Sequence, residues 1–287
     1  MADKQDDKDV PQSYGLLLFP QFEVLDAAGP IEVLNVLSNY FVDSKINLSV
    51  ITPNKDLVSP GVGQNFLGNQ LYKPTHSLDD APPLDVLIIP GGRGTTGTNE
   101  ELRHLLDFIR DRFNGASGHA PLKYVFSICT GSDLLARAGV LDDRRATTNK
   151  RAWTRVTPDG PKTHWVANAR WVESGRVWTT SGVTAGIDGM AALVGKIYGE
   201  EVAQKVCDII EVCLWFVLVV QSNADGLNST CGLRIRVMTR SLSRMGVRMY
   251  CLYEIHDLVL CSLVKAEDGF PNRYLLKLLS NRLKDVR

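Results

Sequence analysis

The sequence predicts a three-layer α/β/α sandwich built on a mainly parallel sheet. Short, continuous apolar runs rich in Val, Ile, Leu and Phe alternate with stretches of roughly 10–15 residues whose apolar positions follow helical spacing. Unbroken apolar strands are those buried on both faces, and crossover helices bury a parallel sheet in that way. With 287 residues, 44% of them hydrophobic and 22% charged, the chain has enough apolar surface for one large core or two small ones.

Each element can be placed in order. Met1–Gln12 is polar and rich in Asp and Lys, and is expected to be a disordered tail rather than a signal peptide. Tyr14–Phe19 (YGLLLF) predicts a buried strand and Asp26–Tyr40 a helix. Asn47–Thr52 is a second strand. Asp85–Pro90 (DVLIIP) is a third, followed by a Gly-rich turn and a helix over Glu100–Phe113. Tyr124–Cys129 (YVFSIC) is a fourth strand and runs straight into a helix over Gly131–Ala138. Trp165–Thr180 differs, because Trp- and Val-rich flanks surround Glu173-Ser174-Gly175-Arg176, the pattern of a β-hairpin. Thr184–Tyr198 and Glu200–Ile210 close the domain as two helices broken at Gly199. No internal repeat is present.

Beyond about Glu211 the order dissolves. Residues 212–287 have no sustained helical or strand period, and they hold four of the six cysteines. They also carry eleven basic and six acidic residues, against 21 and 26 in residues 1–211.

Composition narrows the function classes. Formal net charge is zero, so nothing points to a nucleic-acid partner or an anionic membrane surface. The longest apolar run, Val212–Val220, is far short of the roughly 20 residues that span a bilayer. The cysteines lack CxxC or Cys/His metal spacing, so free thiols in a cytoplasmic protein, with no metal and no cofactor, are the expectation.

Three segments carry chemistry. Pro90-Gly91-Gly92-Arg93-Gly94-Thr95-Thr96-Gly97 contains a literal GxGxxG after a strand, the dinucleotide-binding pattern. It follows the third strand rather than the first, and no acidic residue ends a strand about 20 residues on. The other reading is a turn whose bare N–H groups face a reacting atom. Ser127-Ile128-Cys129-Thr130-Gly131 supplies that atom, a cysteine at a strand-to-helix junction with small neighbours, as in a nucleophile elbow. A helix start there favours the thiolate, whereas a lone cysteine is more often plain core. Asp26, after the apolar stretch Phe22–Leu25, is either a helix N-cap or a carboxyl set over the strand ends where α/β sheets bind ligands. Buried among Phe22, Leu25 and Pro30, its pKa would rise toward neutrality.

FPQFEVLDAAGPIEVL, LDVLIIPGGRG, VFSICTGSDLLARAGVLDDRRATTN, ARWVESGRVWTTSG and VTAGIDGM together resemble the ThiJ/PfpI superfamily, class I glutamine-amidotransferase-like proteins, from about Tyr14 to Glu211. Asp26, Cys129-Thr130-Gly131 and the SGVTAGID block are similar to its isonitrile-hydratase-like branch. The resemblance implies a flavodoxin-like core and a homodimer. It makes Cys129 the nucleophile, Asp26 the acidic partner that hydrogen-bonds the sulfur or activates water, and Thr130 an orienting group. It further implies an oxyanion pocket from the N–H groups of Gly92 and Thr130 beside Gly91 and Gly131, and a mouth lined by Ser181, Gly182 and Val183.

Two departures from the family follow. Many relatives carry a histidine twenty residues after the cysteine, and here that position is Asn149, which can orient a group but cannot take a proton. This disfavours Cys-His amidase, glyoxalase and deglycase chemistry and leaves an Asp-Cys mechanism, with isonitrile hydration as the leading reading. A non-enzymatic thiol redox sensor or regulator is the alternative. Relatives also end soon after the last helix. The codons for Val212-Cys213 fit GTNTGY, a typical intron boundary, so residues 212–287 are expected to be an atypical extension, with translated intron or out-of-frame sequence as one reading and a lineage-specific extension as the other.

Overall fold

The computed structural model describes residues 10–43, 45–61, 70–97, 100–116 and 118–212, together with the backbone of three strands between 239 and 266. The chain divides into two units, residues 1–220 and 221–287.

The first unit runs β1 (Ser13–Leu17), α1 (Val24–Tyr40), β2 (Asn47–Thr52), β3 (His76–Ser77), β4 (Val86–Ile89), α2 (Glu100–Asn114), β5 (Tyr124–Ser127) and α3 (Gly131–Arg137). It continues with β6 (Arg145–Ala146), α4 (Trp153–Val156), β7 (His164–Trp165), β8 (Trp171–Ser174), β9 (Val177–Thr180), α5 (Thr184–Tyr198) and α6 (Glu200–Ile209). Seven strands form one sheet in the order β3-β2-β1-β4-β5-β9-β8, parallel except for the β8–β9 hairpin. Strands β6 and β7 pair separately, in parallel. Helices α1, α5 and α6 pack together, and α2 packs against α3, the two helix layers of the expected sandwich.

The strands are in the sheet because they are apolar throughout. Val86, Leu87, Ile88 and Ile89 of β4 are wholly buried, each removing from water a side chain worth roughly 1.5–3 kcal/mol. Helix α2 buries Leu102, Leu105, Leu106, Ile109 and Phe113, one stripe at helical spacing, and leaves its charged face outward. The break between α5 and α6 falls at Gly199, whose φ of 98° is one that L side chains rarely adopt.

The sequence boundaries hold to within a few residues, but the short β3, β6, β7 and α4 carry too few residues for a period and escape sequence reading. Of the expected N-terminal tail, residues 1–9 lie outside the described residues. Residues 11 and 12 are tied down: the Gln12 N–H donates to Asp85 Oδ2 (2.8 Å), and Tyr198 Oη donates to the Pro11 carbonyl (3.1 Å).

In the second unit β10 (Thr239–Leu242), β11 (Val247–Tyr253) and β12 (Val259–Ala266) form an antiparallel sheet in that order. Their sequences have strand composition without a two-residue alternation, so no strand was expected there. The expected boundary residue Cys213 and the segment up to 238 lie outside the described residues.

Candidate active site

The site is built where β4, β5 and α1 converge at the carboxyl ends of the parallel strands. Cys129 sits between β5 and α3 with φ 55°, a left-handed conformation that costs a non-glycine residue energy and raises its side chain out of the turn. The surroundings hold it there. Its N–H donates to the Thr180 carbonyl (3.2 Å), and its carbonyl accepts from Ser132 Oγ (3.1 Å) and Thr148 Oγ1 (3.1 Å). Gly91 lets the β4 turn close on the elbow, since a Cβ there would lie 2.5 Å from the Thr130 nitrogen and 2.8 Å from Cys129 Cβ. At Gly131 a Cβ would collide with the Ile89 carbonyl.

Asp26 lies in the first turn of α1 and is completely buried. Its Oδ2 accepts the Gly91 N–H (2.9 Å), whereas Oδ1 makes no hydrogen bond of normal length and angle, although the Cys129 thiol is near enough to act on its titration. Burial pushes this carboxyl up to about 7; the Gly91 N–H opposes that rise, the charge of Glu23 adds to it, and the thiol opposes it slightly. Phe22 and Pro30 are buried with Asp26 as expected, but Leu25 is exposed.

The expected thiolate is not the resting state. Burial and then the charge of Asp26 push the Cys129 thiol up to about 12, against the Thr130 N–H and the Asn149 side chain, which favour the anion. A short helix start supplies a small partial charge, and burial at 9% exposure beside a carboxylate outweighs it.

The oxyanion donors are assembled but engaged. The Gly92 N–H donates to Thr130 Oγ1 (3.0 Å), the hydroxyl lies 3.2 Å from the Gly92 carbonyl, and the Thr130 N–H serves the thiol. Rotation of the Thr130 hydroxyl would free Gly92. In the GxGxxG segment the Gly92 N–H goes to Thr130 and the Gly94 N–H to the Gln21 carbonyl, while the preceding Gly91 N–H goes to Asp26. Among the described residues no group of three or more His, Cys, Asp or Glu could hold a metal ion.

On the other side of the sulfur stands Asn149, a residue whose position sequence reading noted and whose donor role it missed. Its Oδ1 accepts the N–H groups of Arg151 (2.9 Å) and Ala152 (3.3 Å), capping a 3-10 turn, which leaves Nδ2 to act as donor toward Cys129. Asn ahead of a helical turn is an N-cap signal, and that signal was available. A Cβ on Gly182 would lie 3.1 Å from this Nδ2, so Gly182 keeps the next loop close. Val183 precedes α5, and Ser181 donates its N–H to the Arg170 carbonyl (2.7 Å) and lines a groove of about 660 Å³ with Lys150, Trp153 and residues 167–170.

Two further buried carboxylates lie near this end of the sheet. Asp133 pairs with Arg155 at 2.6 Å, and Asp188 with Arg170 at 2.5 Å.

Comparison with known proteins places this geometry among relatives. The sequence profile of the DJ-1/PfpI family matches residues 14–196. The isonitrile hydratase of Pseudomonas putida is 38% identical over 192 residues, 67% of this chain and 75% of that protein. The HTH-type transcriptional regulator GbdR of Pseudomonas aeruginosa is 24% identical over 199 residues, 69% of this chain and half of the regulator. Among solved structures, a THiJ/PfpI family protein from Pseudomonas syringae superposes with TM-score 0.55 at 25% identity, over 74% of this chain and 81% of that one. Drosophila melanogaster DJ-1beta superposes with TM-score 0.54 at 19% identity, over 70% and 98%, which speaks for the fold alone. No helix among the described residues is long and apolar enough to cross a membrane.

Proposed function

The chain belongs to the DJ-1/PfpI family, and from that premise we propose that it is a cysteine-dependent hydratase that converts isonitriles to N-substituted formamides. The observation that carries this reading is the buried Asp26 carboxyl beside the Cys129 thiol, with Asn149 and no histidine at the family position. An isonitrile carbon is a weak electrophile with a lone pair, so addition calls for a soft nucleophile and a proton donor at one point.

The pair supplies both if it carries one proton between its two members. Asp26 takes the thiol proton as sulfur bonds to the isonitrile carbon, then gives it to that carbon, leaving a thioimidate. Water next adds across the C=N bond. Asp26 draws its proton and passes it to nitrogen, and the freed Gly92 N–H with the Thr130 N–H stabilises the developing charge. The carbon–sulfur bond then breaks, the hydroxyl proton returns to sulfur through Asp26, and the formamide leaves. A homodimer and a cytoplasmic location complete the reading; both come from the sequence resemblance and composition. The raised thiol pKa weighs against the redox sensor, because oxidation follows thiolate character and exposure.

The test is to incubate the protein with an alkyl isonitrile, an aryl isonitrile and a 2-oxoaldehyde. The expected result is formamide from the isonitriles, lost in Cys129→Ser because a hydroxyl is a far weaker acid and a harder nucleophile than a thiol, so Asp26 cannot draw its proton as it adds to the carbon. Formamide no faster than in buffer overturns the proposal.

A further inference from the structure

We infer that the groove lined by Lys150, Trp153 and Ser181 is an anion-accepting subsite, and that the substrates it favours carry a carboxylate on a flat apolar body. As a subsite for the substrate's substituent it rests on the hydratase reading above.

It is lined by Lys150, Trp153, Asn168, Arg170 and Ser181 with two alanines, and no Asp or Glu lines it. The two cations differ. Arg170 gives Nε and Nη2 to the buried Asp188 at 2.6 and 2.5 Å, so its charge is already balanced. Lys150 donates to Thr147 Oγ1 (2.6 Å) and to the Thr148 carbonyl (3.2 Å), both neutral, and among the described residues no carboxylate pairs with it. One of its three N–H bonds is left over. Partial burial draws this ammonium down to about 8, the response of a cation short of counter-charge.

The apolar part has a platform as well. Lys150 Nζ lies 5.1 Å from the centre of the Trp153 ring, and Trp165 meets that ring edge-on at 6.1 Å. A flat ligand can therefore lie along Trp153 with its carboxylate at Lys150, while Ser181 and Asn168 offer hydrogen bonds. The groove also has the right address. Lys150 follows Asn149 and Ser181 precedes Gly182, and Asn149 Nδ2 reaches both Gly182 and the influence of the Cys129 sulfur. Lys150 thus stands one residue from Asn149, which acts on the thiol, and Ser181 one residue from Gly182, which packs close to Asn149.

The experiment pairs 4-isocyanobenzoate with its neutral isostere 4-isocyanobenzamide in turnover by the full chain. It also pairs the products, 4-formamidobenzoate and 4-formamidobenzamide, in calorimetric titration of Cys129→Ser. The expected preference for the carboxylate is about tenfold, expressed in KM and in Kd rather than in kcat. Lys150→Met and Lys150→Gln should erase it and Lys150→Arg should keep it, with thermal unfolding of each variant checked against the parent. If a neutral Lys150 variant does not fold, the carboxylate–amide comparison on the parent chain decides alone. Equal binding of acid and amide, or a preference that survives Lys150→Met, overturns the subsite. If both isonitriles are hydrated without preference, the subsite falls and the hydratase reading stands. If neither is hydrated while Cys129→Ser still binds the acid tenfold better, the reading falls and the subsite stands.

Discussion

Around Asp26 a carboxyl is buried with no cation among the described residues, whereas the Asp133 and Asp188 carboxyls, also shut off from solvent, each meet a guanidinium. Burial pushes all three pKa values up, and in the second group the arginines pull back. The difference teaches what a buried acid is for. Arg155 joins α4 to α3 through Asp133, whose carboxyl burial still lifts to about 6, and Arg170 joins the loop before β8 to α5 through Asp188. Asp26 has only one backbone N–H and a thiol, so either protonation state is within reach near neutral pH and the group can move a proton.

The largest effect that would break this comparison is on turnover. Cys129→Ser should reduce isonitrile hydration to background, read as formamide release. Asp26→Asn should cost roughly 10²–10⁴-fold in kcat, the usual worth of a general acid–base group; full turnover by this variant would put Asp26 with the structural acids.

Stability gives the same contrast with opposite signs. A carboxyl with a folded pKa of about 7 and an unfolded value near 3.9 favours the native state fully at low pH. That contribution is lost as pH rises through about 7, because the unfolded chain releases its proton first. Asp26→Asn should therefore match the parent near pH 4 and exceed it by on the order of 3 kcal/mol at pH 8 in denaturant unfolding. Asp188→Ala should instead lower stability at pH 7 by about 1 kcal/mol, since Arg170, half-buried, is left without its partner.

The pH dependence of catalysis sharpens the assignment further. The competent pair holds one proton, so kcat/KM should rise with pH up to about 7 and then stay level, the thiol titrating only far above. A bell centred below pH 6 would contradict it. The smallest effect expected is for Asn149→Ala, about tenfold in kcat/KM, the worth of one hydrogen bond to a charge developing on sulfur. Asn149→Asp, which puts a second negative charge beside the thiol, should be worse than Asn149→Ala.

Much of this protein was legible before any fold was known. The parallel sheet followed from DVLIIP and YVFSIC, because strands covered on both faces need unbroken apolar runs, and the elbow followed from a cysteine among small residues at a strand end. For Asp26 the sequence carried only the conditional, a raised pKa once buried among apolar neighbours; its burial is a matter of packing, and Leu25 stays exposed. The protonation states and partners did not. A local reading gave Cys129 a helix start and hence a thiolate, but Asp26, about a hundred positions earlier in the chain, and simple depth reverse the sign. The destination of the Gly91, Gly92 and Gly94 N–H groups and the donor role of Asn149 are likewise contacts between distant segments. Periodicity reports which face of one element is buried. Which charges and donors end up within a few ångströms of one another depends on how several elements pack, and that the tertiary structure alone decided.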